Sequence, residues 1–185
     1  MDREQGKSVM YVGIDPGLTG GVFGFTDGGF IYYEPTPVIQ VSSGKKKRQE
    51  YDISKMNDIV KRLSVDFRVF CAYEKVHAFP GQGVTSMFSF GTGFGIWQGL
   101  LVANEVSFEL VTPRVWQKEI LQGMDKSDPK SSAVQVAKRL FPGVDFTLAN
   151  QGSRRTKAHQ GIVDACCLAE FARRRAVRGM LGCDG

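Results

Sequence analysis

Three acidic residues stand in settings suited to metal chemistry: Asp15 in YVGIDPGLTGG, Glu74 in VFCAYEKVHAF and Asp164 in HQGIVDACCLAEFARR. Asp15 and Glu74 each end a β-type apolar run, residues 9–14 and 69–73, whereas Asp164 opens an amphipathic helix. Two adjacent strand ends and one helix face can converge on a single site. Clustered carboxylates repel and raise one another's pKa unless a cation neutralises them. Oxygen-only ligands favour Mg²⁺ or Mn²⁺. Two such ions activate a water and stabilise the leaving oxygen of an in-line phosphodiester displacement. Each residue also has a plainer reading. Asp15 precedes Pro-Gly, so it suits a turn, and Asp164 suits a solvated helix face, although Ile162, Val163, Ala165, Cys166 and Leu168 around it are apolar. Glu74 is harder to dismiss, because Glu is a poor residue for the end of a buried strand.

The elements that must carry these residues follow from periodicity and punctuation. Residues 9–15, about 20–26 and about 29–34 alternate β-formers between Gly20-Gly21 and Gly28-Gly29, with Asp27-Gly28 as a hairpin signal. They predict an antiparallel three-stranded meander. Pro35, Pro37 and the run Ser42 to Arg48 predict an exposed loop, followed by a helix over about 54–67 with Ile59, Val60 and Leu63 on one face. Residues 69–73 predict a buried central strand. A Gly- and Phe-rich stretch leads into a helix over about 86–104, and a short strand is expected at 107–111. Thr112-Pro113 and Asp128-Pro129 read as N-cap and first-turn pairs for helices ending near 122 and 140. The last helix is expected over about 159–178. The order βββαβαβααα predicts an α/β domain in which an antiparallel meander is extended by parallel strands.

With 185 residues and 42% hydrophobic content, the chain suits one domain spanning residues 1–185, with 1–8 disordered and 179–185 as a tail. No apolar run approaches the roughly 18 residues of a membrane span, and MDREQGKS is not a signal peptide, so an intracellular protein is expected. Cys71, Cys166, Cys167 and Cys183 lack metal-type CxxC spacing and read as reduced thiols. The net charge of +5 is uneven: 11 Lys and Arg face 12 Asp and Glu through Thr112, against 13 and 7 from Pro113 onward. Such a basic C-terminal half, coupled to a carboxylate cluster, points to a nucleic-acid partner.

GIDPGLTGG, AYEKVHAF, FSFGTGFGIWQGLLVA and HQGIVDACCLAE, in that order, resemble the RuvC-type Holliday junction resolvases of the ribonuclease H-like superfamily, over almost the whole chain. The glycine-rich entry to the second long helix, with Trp97 inside it, is most similar to the chloroplast and phage branches. The resemblance implies a ribonuclease H-like fold with a mixed five-stranded sheet flanked by helices. It also implies a homodimer that makes symmetric nicks in a four-way DNA junction with two Mg²⁺ or Mn²⁺ ions per active site, without a nucleotide cofactor, in the bacterial or phage cytoplasm or a plastid nucleoid. On this resemblance Asp15, Glu74 and Asp164 are the metal ligands. Family members place a further acidic residue, or His, one turn before the last Asp, which falls at Gln160 or Gly161. Gln160 keeps the shape of glutamate without its charge. An engineered change that traps an uncleaved complex, a natural variant in which His159 replaces the ligand, and a residue of no consequence all remain open.

For DNA contacts, Lys45, Lys46, Lys47 and Arg48 form one basic element, and Arg154, Arg155 and Lys157 form another just before the last carboxylate. Lys118 and Lys130 are further candidates. Such contacts would position a strand without reading its sequence. Phe79, Phe88, Phe90 and Phe94 interleave with Gly and Ser; Phe79, nearest Glu74, suits a wedge into unpaired bases, whereas Phe90 and Phe94 at i, i+4 suit packing. Gly91, Gly95 and Gly99 would allow close helix approach across a dimer axis, an inference resting mainly on the family. Two other functions compete. One is a junction-binding protein without catalysis. The other is an actin-like or sugar-kinase-like ATPase, which needs two lobes where this chain has room for one.

Overall fold

Alternation along the first strand sorts the whole molecule into two cores. In β1 (Val9–Asp15), Tyr11 enters one apolar cluster, while Met10, Val12 and Ile14 enter another on the opposite face of the sheet. A computed structural model describes residues 6–44, 46–75, 81, 83–147 and 157–181. β1 pairs antiparallel with β2 (Gly21–Phe25), which pairs antiparallel with β3 (Ile31–Pro35). On its other side β1 runs parallel to β6 (Arg68–Glu74), and β6 runs parallel to β7 (Phe108–Val111). The five-stranded sheet thus has the order β3-β2-β1-β6-β7, the meander extended by parallel strands that the sequence predicts.

Helices cover both faces. α1 (Ile53–Asp66) and α2 (Val84–Ala103) close the Met10, Val12 and Ile14 side through Met56, Ile59, Val60, Leu63, Trp97 and Leu101. α3 (Pro113–Ile120), α4 (Pro129–Leu140) and α5 (Gln160–Leu181) close the Tyr11 side. α5 is the central helix, with Ile162, Val163, Cys166, Leu168 and Phe171 all fully buried. Each large apolar side chain buried this way contributes about 1.5–3 kcal/mol. The helix lies against the backbone of β1, because a Cβ at Gly13 would stand 2.0 Å from the Ala165 carbonyl oxygen and 2.4 Å from the Ala169 nitrogen. Only glycine permits that approach.

Three expectations need correction. The segment read as a loop from Pro35 to Arg48 is largely a β-hairpin, β4 (Val38–Ser43) paired with β5 (Lys46–Tyr51) as a separate two-stranded sheet. Val38, Ile39 and Val41 supply enough β-former content, and the polar, basic return strand hid the alternation. α5 continues past residue 178 to Leu181, into the expected tail. Lys7 and Ser8, expected to be disordered, are tied to the body: Lys7 Nζ donates to the Ser64 carbonyl at 2.9 Å, and the Arg68 N–H donates to the Ser8 carbonyl.

Candidate active site

The strand register brings the first two acidic residues together. Gly13 pairs with Ala72 and Ile14 with Tyr73, so Asp15 and Glu74 end neighbouring parallel strands at matching positions. Two-residue alternation puts Asp15 on the face of Gly13 and Glu74 on the face of Ala72, the face that α5 covers. Asp164 sits in the first turns of α5, one residue before Ala165. Gly161 seats that end of the helix on the loop after β1, where a Cβ would meet the Thr19 carbonyl oxygen at 2.3 Å and the Gly20 Cα at 2.5 Å. Gly20 in turn underlies Asp15, its own Cβ position lying 2.1 Å from the Asp15 carbonyl oxygen.

Electrostatics shows the three carboxyls acting on one another. Burial pushes Asp15 up to about 7, with the charges of Glu74 and Asp164 adding to the rise and the Gly17 N–H, 3.3 Å from Oδ1, opposing it. Glu74 also rises to about 7, by burial and by Asp164, against a hydrogen bond from the Trp116 indole. Asp164 rises to about 6 by burial, moderated by the Gln160 amide and by the charge of Lys130. Perturbed carboxyls grouped in this way are a mark of functional sites.

Further side chains hold the arrangement. Trp116 Nε1 donates to Glu74 Oε1 at 2.8 Å, and Gln160 Nε2 donates to Asp164 Oδ1 at 2.9 Å. Of the two positions considered for a fourth ligand, Gly161 has no space for a side chain, and residue 160 is the one that meets Asp164. His159 acts as a helix cap: its carbonyl accepts from the Ile162 and Val163 N–H groups, and its Nδ1 accepts from Ile162 at 3.3 Å. On the opposite side of the Asp15 loop, the Tyr51 hydroxyl donates to the carbonyls of Pro16 (3.4 Å) and Ser89 (3.2 Å), and the Phe90 ring lies against Gly17.

Among the described residues, no three Asp, Glu, His or Cys side chains stand close enough together to hold a metal ion as they are placed. The donor set itself nevertheless fits a hard divalent cation, being oxygen-only, partly buried and mutually repelling. Of the expected DNA contacts, Lys47 and Arg48 are exposed on β5, with Arg48 paired to Glu50 at 2.5 Å. Lys118, Lys130 and Lys157 are exposed on α3, on the first turn of α4 and just before α5. Lys45, Phe79, Arg154 and Arg155 lie outside the described residues, as does the side chain of Lys46. Phe90 and Phe94 are half-buried, Phe94 stacking on Tyr73 at 5.0 Å, whereas Phe88 is 78% exposed.

Sequence reasoning missed Trp116, Tyr51 and the fit of Gly161. A tryptophan on an amphipathic helix reads as core, and its bond to Glu74 spans 42 residues. Only for Gly161 was there a sequence cue, a glycine in the first turn of an otherwise apolar helix.

No protein-family model matches the chain, and no curated protein matches it. Solved structures do. The RuvC structure from Thermus thermophilus is 14% identical, with a TM-score of 0.51 over 90% of this chain and 96% of that one. RuvC from the same organism in complex with a Holliday junction substrate is 13% identical, with a TM-score of 0.54 over 92% and 96%. The mixed sheet, its strand order and its helices are the ribonuclease H-like fold of RuvC.

Proposed function

We propose that this chain is a metal-dependent, structure-selective endonuclease that resolves four-way DNA junctions by paired nicks. The observation that carries the reading is the set of three partly buried, mutually repelling carboxyls at one end of a RuvC-like sheet. Asp15, Glu74 and Asp164 would hold Mg²⁺ or Mn²⁺, two ions in the fully competent site. When bound, such ions supply an activated water and charge stabilisation for phosphodiester hydrolysis. The chain's own groups orient the strand. Lys130, whose charge already reaches Asp164, approaches the site from the first turn of α4. Lys118 and Lys157, with Arg154 and Arg155, would take phosphates nearby, and Lys45, Lys46, Lys47 and Arg48 would contact a DNA arm from the hairpin. Phe79 would stack on bases at the junction centre.

A homodimer suits this reading. The open face of α2 carries exposed Val84, Phe88 and Val102 together with Gly91, Gly95 and Gly99, none of which would meet a neighbour within 4 Å if given a Cβ. Two copies meeting there would present two active sites to two strands. DNA association in turn suits an intracellular protein, and no described helix is long and apolar enough to cross a membrane.

A second reading, a junction-binding protein without catalysis, is favoured by one observation: the Gln160 amide donates to Asp164 where a carboxylate would add a negative ligand. The test compares this chain with its Gln160→Glu and Asp15→Asn variants on a labelled four-way junction and a matched linear duplex, in Mg²⁺ or EDTA. Mg²⁺-dependent nicking of the junction by the native chain or by Gln160→Glu, lost in Asp15→Asn, supports the endonuclease. Tight junction binding with no nicking by any variant supports the second reading, and absence of junction preference sinks both.

A further inference from the structure

We propose that Trp116 is the positioning residue for Glu74, its indole N–H holding Oε1 so that Oε2 remains the oxygen available to a divalent cation. The inference rests on the endonuclease reading and adds to it a residue that touches neither cation nor DNA. The Nε1 to Oε1 distance is 2.8 Å, and among the described residues Glu74 Oε2 makes no hydrogen bond. Trp116 is 1% exposed, within the buried cluster that also holds Val111, Ile120, Ala133 and Val163. Burial in a close-packed core restricts the ring that carries the donor.

The chemistry of the donor matters as much as its distance. An indole N–H only donates and never titrates. It therefore orients Glu74 without neutralising it, whereas a Lys or Arg there would compete with the cation for the same charge. The route through the chain is short and stiff. Glu74 pairs with Val111 at the end of β7, Thr112 and Pro113 open α3, and one turn later Trp116 returns to Glu74. Partners standing behind metal ligands in this way fix ligand orientation, and their loss typically weakens metal affinity about 10–100-fold.

The other tryptophan supplies a control. Trp97 is also fully buried, but its Nε1 has no hydrogen-bond partner among the described residues. Replacing both tryptophans with benzothienylalanine, which keeps the fused ring and puts sulfur in place of N–H, thus removes one made hydrogen bond, that of Trp116.

The test is Mn²⁺ binding to the DNA-free protein, followed by isothermal titration and by Mn²⁺ paramagnetic resonance, beside thermal unfolding. Trp116→Phe and the benzothienylalanine protein are expected to bind about 10–100-fold more weakly. Ile120→Val, which thins the same core one turn away, is expected to lower the melting temperature and leave Mn²⁺ affinity unchanged. Affinity within about twofold of native in the benzothienylalanine protein, with Asp15→Asn still losing binding, overturns the role of Trp116 alone. No Mn²⁺ binding by the native chain that depends on Asp15 overturns both this role and the reading beneath it.

Discussion

α5 carries two acids six residues apart, Glu170 buried and Asp164 partly so, and the protein treats them in opposite ways. Glu170, 3% exposed, receives Arg173 Nε at 2.8 Å and Nη2 at 3.0 Å, and Arg174 Nε at 2.8 Å. Burial pushes its carboxyl up, but the hydrogen bonds and charges of the two arginines outweigh this and hold it below the usual carboxylate range. Asp164 has the Gln160 amide and the charge of Lys130, is coupled to Asp15 and Glu74, and rises to about 6. Glu170 is neutralised within the chain, whereas Asp15, Glu74 and Asp164 form no ion pair among the described residues and keep raised pKa values instead. One acid on this helix is compensated and the other is not, which is the contrast the proposed activity would use.

The largest expected break in this contrast is Asp15→Asn, made alongside Gln160→Glu. It should reduce junction nicking roughly a thousandfold, equivalent to about 4 kcal/mol of barrier. Thermal stability at pH 8 should rise in the same protein, because one of three repelling charges is gone. A fall in both would mean that Asp15 is an ordinary structural acid.

The pH dependence follows next in size. A carboxyl whose pKa is higher folded than unfolded keeps its proton longer in the native state, so stability falls as pH rises between the two values. Asp15, Glu74 and Asp164, raised from 3.8, 4.5 and 3.8 to about 7, 7 and 6, should erode stability from about pH 4 and finish near pH 7. Glu170 works the other way, its contribution being present above its ordinary value and lost in acid. Mg²⁺ at about a hundred times its dissociation constant should restore about 2.7 kcal/mol at pH 8 and much less at pH 5. Calorimetry with and without Mg²⁺ at the two pH values checks both signs.

Glu170→Gln sharpens the other half of the comparison. Loss of its charge-assisted bonds should cost about 1.5–3 kcal/mol in denaturant unfolding, whereas Asp164→Asn should be neutral or stabilising. Smallest is a pair of glycines on α5. Gly161→Ala should cost about 1–3 kcal/mol, since its methyl meets backbone that has no room to move. Gly179→Ala, with open space at its Cβ position, should stabilise by up to about 1 kcal/mol.

The parts of the site that were legible from sequence rest on short-range rules. The apolar runs 9–14 and 69–73 mark Asp15 and Glu74 as strand ends, the register of the two strands then puts them on one face, and an apolar helix around Asp164 sends it inward. The hairpin was hidden because Lys46 to Glu50 carry no apolar alternation, and their pairing with 38–43 comes from chain return after a short turn. Trp116 and Tyr51 were hidden for a different reason. Each acts through hydrogen bonds to residues more than thirty positions away, one for Trp116 and two for Tyr51, and no local pattern encodes that distance.

The glycines at 13, 20 and 161 give the site a property that a side-chain core would not. They bring main chain against main chain, so the gauge between the first and last acidic residues is set by van der Waals contact between backbones rather than by how methyl groups happen to interlock. Repacking elsewhere can shift a leucine by a rotamer without changing that gauge. A side chain at any of these three positions would instead push the carboxyl-bearing strand and helix apart.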